Sequence, residues 1–237
     1  VGAKDGGALK DFTDAIKFMG DNTSLLVDKS VEQLLLAAAA IGIALLIAIP
    51  LGLWLGHLHR GAWLAINVSN IGRALPSLAI IALAIGVLGL GFTNVMVALI
   101  VLAVPVLLTN AYVAIDGVDR DAVEAARGMG MSDLQVLTRV ELPLALPLMF
   151  AGIRTASVYV VATAILAAIA GGGGLGEIIF NQASYRLAGV LAAAIWVSAL
   201  ALLVEGLFAL IQRLVTPAGL RRTAPDVGPV IETAGTS

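Results

Sequence analysis

The sequence predicts an all-α membrane protein with about five transmembrane helices. Of its 237 residues, 59% are hydrophobic and 13% charged, where a soluble domain carries about 25% charged residues. Mean hydropathy is +1.00. Apolar runs at 31–56, 62–90, 93–115, 148–170 and 187–214 are each long enough to cross roughly 30 Å of hydrocarbon. The net charge of −2 argues against a nucleic-acid partner. The absence of cysteine excludes disulfides and Cys-ligated metal sites.

Residues 1–30 read as a polar extracytoplasmic leader without the basic start and apolar centre of a signal peptide. Leu9, Phe12, Ile16 and Met19 fall at helical spacing, so 9–19 is expected to be a short amphipathic helix, either an interfacial anchor or a solvated leader. The first run contains Pro50, a bend position, and Gly52 with Gly56, a small-residue pair for close helix contact. His57, His59 and Arg60 follow between Trp54 and Trp63, as at a membrane–water boundary. Histidines two apart do not share a helix face, which counts against a metal site. The second run holds Asn67, Asn70, Arg73, Pro76 and Ser77, polar or turn-forming groups that need partners or water at that depth. The third run holds Pro105.

Residues 116–147 are a polar island. Asp121 with Glu124 reads as a helix start. Gly128 and Gly130 are expected to break that helix. Ser132 with Gln135 has capping-box spacing and starts a second helix, with Leu134, Leu137 and Val140 as its apolar edge. Pro143 and Pro147 are expected to limit it. The product is a pair of short helices across a glycine turn, suited to docking into a groove on another protein.

The fourth run carries Arg154 and Tyr159 and ends in Gly171-Gly172-Gly173-Gly174-Leu175-Gly176. Gly171, Gly173 and Gly176 satisfy G-x-G-x-x-G, but no strand precedes them, so a dinucleotide site is excluded; no G-x-x-x-x-G-K-[ST] occurs either. A tight re-entry is expected there, then a loop over 177–186. The fifth run carries Trp196 and Glu205 and stops at Thr216-Pro217. Residues 217–237 are Pro-, Gly- and Thr-rich and are expected to be a disordered cytosolic tail. Arg60, Arg120, Arg127, Arg139, Arg213, Arg221 and Arg222 fall on one side of a five-span topology, which places 116–147 and the tail in the cytosol and the leader outside.

Arg73, Arg154 and Glu205 are the charges deepest in the runs. A lone charge at the bilayer centre costs about 2.5–3.5 kcal/mol. Glu205 is expected to pair with Arg154, since their helices are consecutive and antiparallel, with Arg73 second.

Glu124-Ala125-Ala126, three residues, Gly130, nine residues, then Val140-Glu141-Leu142-Pro143 resembles the EAA loop of bacterial ABC-importer permeases, with Val140 in place of Ile. Arg73-Ala-Leu-Pro-Ser77, Gly152-Ile153-Arg154, the glycine turn at 171–176 and Thr216-Pro217 also resemble that family, most closely the permeases for glycine betaine, carnitine and choline. Methionine-importer permeases share much of the pattern. The resemblance implies a type I ABC-importer permease fold, methionine-importer-like, over 31–216. It implies coupling to the ATPase through Asp121, Glu124, Ala125, Ala126, Gly128, Gly130, Ser132, Leu134, Leu137, Leu142 and Pro143. Asn70, Arg73, Pro76, Ser77, Arg154, Tyr159, Gly173, Gly174 and Glu205 are then candidates for the pathway or for helix packing. The implied partners are two cytosolic ATPase subunits, a second permease copy or related chain, an extracytoplasmic substrate-binding protein and the inner-membrane bilayer. No cofactor is expected on this chain, since ATP and Mg would sit on the ATPase, and no catalytic constellation or metal site is expected. A stand-alone secondary transporter would need intramembrane acids and histidines that are nearly absent. A membrane enzyme would need a site that the sequence does not offer.

Overall fold

The structure is a computed structural model that describes residues 5–59 and 61–215. The described residues form helices α1 (Asp5–Asp21), α2 (Thr23–His57), α3 (Ala62–Ala74), α4 (Ser77–Leu88), α5 (Phe92–Asp116), α6 (Arg120–Gly128), α7 (Asp133–Val136), α8 (Leu142–Thr163), α9 (Gly176–Phe180) and α10 (Gln182–Val215). A π-helical turn over Leu137–Glu141 joins α7 to α8, and a 3₁₀ segment over Ala164–Ala170 follows α8. Among the described residues, four helical stretches are long and apolar enough to cross a membrane: Thr23–His57, Phe92–Asp116, Asp133–Ala170 and Gln182–Val215.

The second apolar run is where the structure departs from one uninterrupted span. It is two helices, α3 and α4, parted at Leu75 and Pro76. Proline disfavours helical backbone in the residue before it and has no N–H to give. Pro76 sits in extended conformation as the N-cap of α4, and Ser77 is its first helical residue. The other run boundaries shift as well. The first span begins at Thr23, ahead of the leader boundary at 30. The fourth begins at Leu142, and the fifth at Gln182. The expected loop over 177–186 contains α9 and the start of α10.

α5 is the axis of the bundle. α2 packs along it most extensively, and α3, α4 and α8 also lean on it. The reason is small residues at the seam. A Cβ on Gly52 would come within 2.5 Å of the Ala111 side chain, and one on Gly56 within 2.8 Å of Ile115 Cβ. The two backbones therefore meet nearly in contact, as expected of the glycine pair. Gly72 of α3 meets Pro105 in the same way, with 2.7 Å for a Cβ there. The main core fills the space between α2, α4, α5 and α8 with Leu36, Ile81, Leu99, Leu102, Leu107 and Val160, all buried.

α1 packs against α10, with Ala15 buried and Phe18 edge-on to Tyr185. Leu9, Phe12 and Ile16 of the expected amphipathic helix are exposed. That leaves one apolar stripe free of the bundle.

Substituting Gly52 or Gly56 by leucine forces α2 off α5. We expect a loss of about 1–3 kcal/mol, read as a lower unfolding temperature of the detergent-solubilised protein; Gly42→Leu, where a Cβ meets nothing within 4 Å, is the unaffected control.

Candidate coupling loop and membrane pathway

The polar island folds as a helical elbow. α6 is capped by Asp119, whose side chain accepts from the Asp121 N–H at 3.0 Å. Asp121 lies in the first turn, so the cap falls two residues before the expected one, and Glu124 is an exposed residue within the helix. Gly130 ends the elbow's first arm at φ +85. The N–H groups of Gly130 and Met131 reach back to Arg127 O at 2.9 Å and Ala126 O at 3.2 Å. This is a Schellman closure, and it needs a left-handed residue where Gly130 stands. Gly128 is the last helical residue. The second arm opens with a capping box: Gln135 Oε1 accepts from the Ser132 N–H at 2.9 Å.

The elbow is rooted by apolar contacts. Val123, Ala126 and Val136 are buried against Ala114, Ile115, Val118, Ala145 and Met149. Leu137, Val140 and Leu142 are partly buried in the same cluster. Leu134 does not share that edge: it is 70% exposed, as Met129 is at 73%. With the exposed Glu124, Ala125, Gly128 and Ser132, they leave an outward surface of small, apolar and acidic residues.

Pro143 and Pro147 do not stop the second arm. α7, the π turn and α8 run on without a break. Pro143 stands just after the π turn, where the helical hydrogen-bond register changes. Pro147 lies inside the helix, and Gln212 Nε2 donates to its carbonyl at 2.9 Å. The elbow is thus a direct extension of α8.

At the opposite end of the bundle the glycine turn is held by α2. Gly171, Gly173 and Gly174 all have positive φ. The Gly174 N–H donates to Glu32 Oε2 at 3.0 Å, and the Leu175 N–H to Gln33 Oε1 at 3.2 Å. Gln33 Nε2 donates in turn to Val161 O at 2.9 Å. Lys29 Nζ bridges Glu32 at 2.9 Å and Glu177 at 2.7 Å. A cavity of about 610 Å³ opens here, lined by Lys29, Glu32, Phe92, Gly172, Gly173 and Glu177. Sequence reasoning missed Lys29, Glu32 and Gln33 because the leader boundary was drawn through them. The Lys-x-x-Glu spacing was the available signal.

Among the pathway candidates, Tyr159 lines a cavity of about 330 Å³ with Gly72, Leu102, Val106 and Thr155. Asn70 is exposed on α3, and the Arg73 side chain lies outside the described residues. Arg154 faces α10: its Nε lies 3.2 Å from Glu205 Oε1, the partner placed first, with the two side chains 33% and 40% exposed. Gly152, two residues earlier, packs against Asn110. The structure thus separates Arg154 and Glu205 from the Tyr159 cavity and from the glycine turn. Among the described residues no three His, Cys, Asp or Glu side chains are grouped as a metal site requires.

This architecture matches known proteins. Residues 48–217 match the family of binding-protein-dependent transport system inner membrane components. The chain is 38% identical over 208 residues to the choline transport system permease protein OpuBB of Bacillus subtilis, covering 87% of this chain and 96% of that one. It is 35% identical over 207 residues to the carnitine transport permease protein OpuCB of Listeria monocytogenes, covering 87% and 95%. Its fold superposes on an inward-facing structure of the MetNI methionine ABC transporter with a TM-score of 0.70 and 23% identity, covering 82% of this chain and 98% of that one. The chain belongs to the family of binding-protein-dependent transport system inner membrane components. It is the multi-pass permease subunit of an ABC importer, of the osmoprotectant type.

A charge swap tests what the membrane ion pair contributes. Glu205→Arg alone is expected to impair assembly, and adding Arg154→Glu to restore it. The measurement is the yield of intact complex by size exclusion; a double variant no better than the single one removes the pair's role.

Proposed function

We propose that this subunit forms half of a pathway for a small quaternary-ammonium osmoprotectant such as glycine betaine, choline or carnitine, driven by alternating access. The observation that carries the coupling part is the helical elbow, rooted on α5 and α8 and presenting Met129, Leu134 and the Glu124–Ala125 edge outward. In this reading that edge seats in one of two cytosolic ATPase subunits, which bind ATP and Mg and do the hydrolysis. The elbow and the chain's end face the cytosol, and α1 with the glycine turn faces outward, where a substrate-binding protein delivers the solute. A second copy of this chain, or a related permease, completes the pore. The leader then ends ahead of α2 at Thr23 rather than at 30, the permease domain runs on to 216 with its coupling loop at 116–147, and the tail over 217–237 lies beyond the described residues.

The solute class is supported by the relatives, whose names give choline or carnitine, and both are quaternary ammonium compounds. Such groups are normally held by aromatic cages. Among the described residues the 330 Å³ cavity offers only Tyr159 as an aromatic wall, so selection is assigned to the binding protein. Screening that protein for ligands after co-purification tests the class; retention of a common amino acid and no quaternary amine rejects it.

Gly130→Pro removes the left-handed turn and Glu124→Lys inverts the exposed edge. Either is expected to uncouple import from ATP hydrolysis in proteoliposomes while the subunit still inserts. Import at the wild-type rate with normal ATPase stimulation would refute the assignment. For access, the chain has no native cysteine. Single cysteines near Pro76 and near Gly174 are expected to change maleimide reactivity in opposite directions when ATP is trapped, and a change of the same sign at both contradicts alternating access.

A further inference from the structure

The chain contains two histidines, and both sit where α2 leaves the bundle, each on a carboxylate from a different element. His57 Nδ1 lies 2.6 Å from Glu141 Oε2, and His59 Nδ1 lies 2.8 Å from Asp116 Oδ1. Asp116 is the last residue of α5, where the chain leaves for the elbow; Glu141 closes the π turn, where it returns. The two histidines therefore hold both feet of the elbow.

Two local features accompany this arrangement. His59 has φ +48, a left-handed conformation uncommon outside glycine, in which histidine is one of the more frequent exceptions. Glu141 is 1% exposed, and its second oxygen, Oε1, has no hydrogen-bond partner among the described residues. The π turn, a widened helical turn that recurs at functional positions, ends on that residue. Simple packing would not need a half-satisfied buried carboxylate.

α2 reaches from this clamp to the far end of the bundle. There its Glu32 and Gln33 accept the N–H groups of Gly174 and Leu175. Over 35 residues at about 1.5 Å each, the helix spans roughly 50 Å. Between its ends Leu36, Ala37, Ala40, Ala44 and Ala48 are buried in the main core, Pro50 lies inside the helix, and Gly52 and Gly56 press its last turns on α5.

We infer that α2 is a transmission rod: His57 and His59 grip the feet of the elbow, and Glu32 and Gln33 carry the displacement to the glycine turn. The four side chains are positioning residues for transport. None needs to touch the solute. The inference rests on the elbow being the ATPase-coupling element.

The test uses the full complex with its ATPase and binding protein in proteoliposomes, carrying one reporter cysteine in place of Ile169, an exposed residue beside the glycine turn. In the parent complex, trapping ATP is expected to change the reporter's maleimide reactivity. The double variant His57→Leu/His59→Leu loses both hydrogen bonds. It should keep ATP hydrolysis, lose the reactivity change at 169 and import roughly three- to thirtyfold less solute per ATP. The variant His57→Gln/His59→Asn keeps a side-chain donor at each position and should behave as the parent. Gln33→Leu, at the other end of the rod, should abolish the reactivity change in the same way. A leucine double variant with an intact reactivity change overturns the inference, as does a Gln/Asn variant as impaired as the leucine one. If the leucine variant does not assemble, the Gln/Asn and Gln33→Leu variants decide by the same two criteria. Glu124→Lys in the same assay separates the levels. If it uncouples and the histidine variants do not, the rod alone fails; if it also leaves import per ATP unchanged, the elbow assignment fails.

Discussion

The close approach of α2 to α5 is the constraint on which the other contacts depend. Glycine at 52 and 56 lets the two backbones meet where any side chain would collide with Ala111 or Ile115. Lipid tails are as apolar as leucine, so burial alone does not drive helices together in a bilayer, and short backbone separation with dense packing has to supply the attraction. Once α2 lies that close, His57 and His59 emerge beside the end of α5, within reach of Asp116 and of the returning chain at Glu141. At the other end, the register along the same seam delivers Glu32 and Gln33 to the glycine turn.

A bilayer interior offers no water to a free N–H or C=O, so irregular backbone survives only where protein groups satisfy it. Three places among the described residues show such a provision. The glycine turn gives N–H groups to Glu32 and Gln33. The 3₁₀ segment ends with the Ala170 carbonyl accepting from the Gly91 N–H at 2.7 Å. Gln212 bonds the carbonyl of Pro147. These partners lie far away in sequence, and that distance is why they escaped sequence reasoning. Features closed within a few residues were legible: the Ser132–Gln135 capping box, the left-handed Gly130 and the glycine pair in α2. The prolines at 143 and 147 were misleading, because the hydrogen-bond register changes at the π turn just ahead of Pro143 and the helix runs on through both. The apolar edge drawn through Leu134, Leu137 and Val140 was misplaced at its start: Val136, Leu137 and Val140 face the elbow's root and Leu134 faces out.

Charge followed the same division. Arg154 and Glu205 were legible as a pair because charges are scarce in apolar runs and their helices are consecutive. The histidine–carboxylate pairs were not. Asp116 and Glu141 are two acids among several in a polar island, and only the folded chain distinguishes them. Burial also gives the pairs different weight. Glu141 is enclosed, so removing His57 would leave a buried carboxyl oxygen without its hydrogen-bond partner, a cost of about 1–3 kcal/mol for buried polar groups in general. Arg154 and Glu205 are both open to the bundle's exterior, and water screens such pairs to about 0–1 kcal/mol. Only a hydrocarbon surround would raise that figure, so the contribution of the Arg154–Glu205 pair depends on the membrane in a way that the His57–Glu141 pair does not.

Rigid and compliant parts of the bundle can be told apart on the same grounds. α2, α5 and the continuous α7–α8 stretch are fixed to one another by glycine contacts, the elbow's apolar root and the histidine pairs. α3 and α4 are different. Each leans on α5 separately, α3 through Gly72 on Pro105 and α4 through Ile80 and Ile81 in the main core. Pro76 between them has no N–H, so changing the angle at Leu75–Pro76 sacrifices no hydrogen bond from that residue. Gly72 belongs to the wall of the Tyr159 cavity, so a change at this joint alters the cavity's shape while the α2–α5 seam stays closed. On the proposed coupling, movement at the elbow would meet two routes: along α2, which contains Pro50 but is seated on α5, to the glycine turn, and through the Leu75–Pro76 joint beside the cavity. An alternating-access pore needs that combination: a rigid body to carry the displacement and a hinge where the pathway widens.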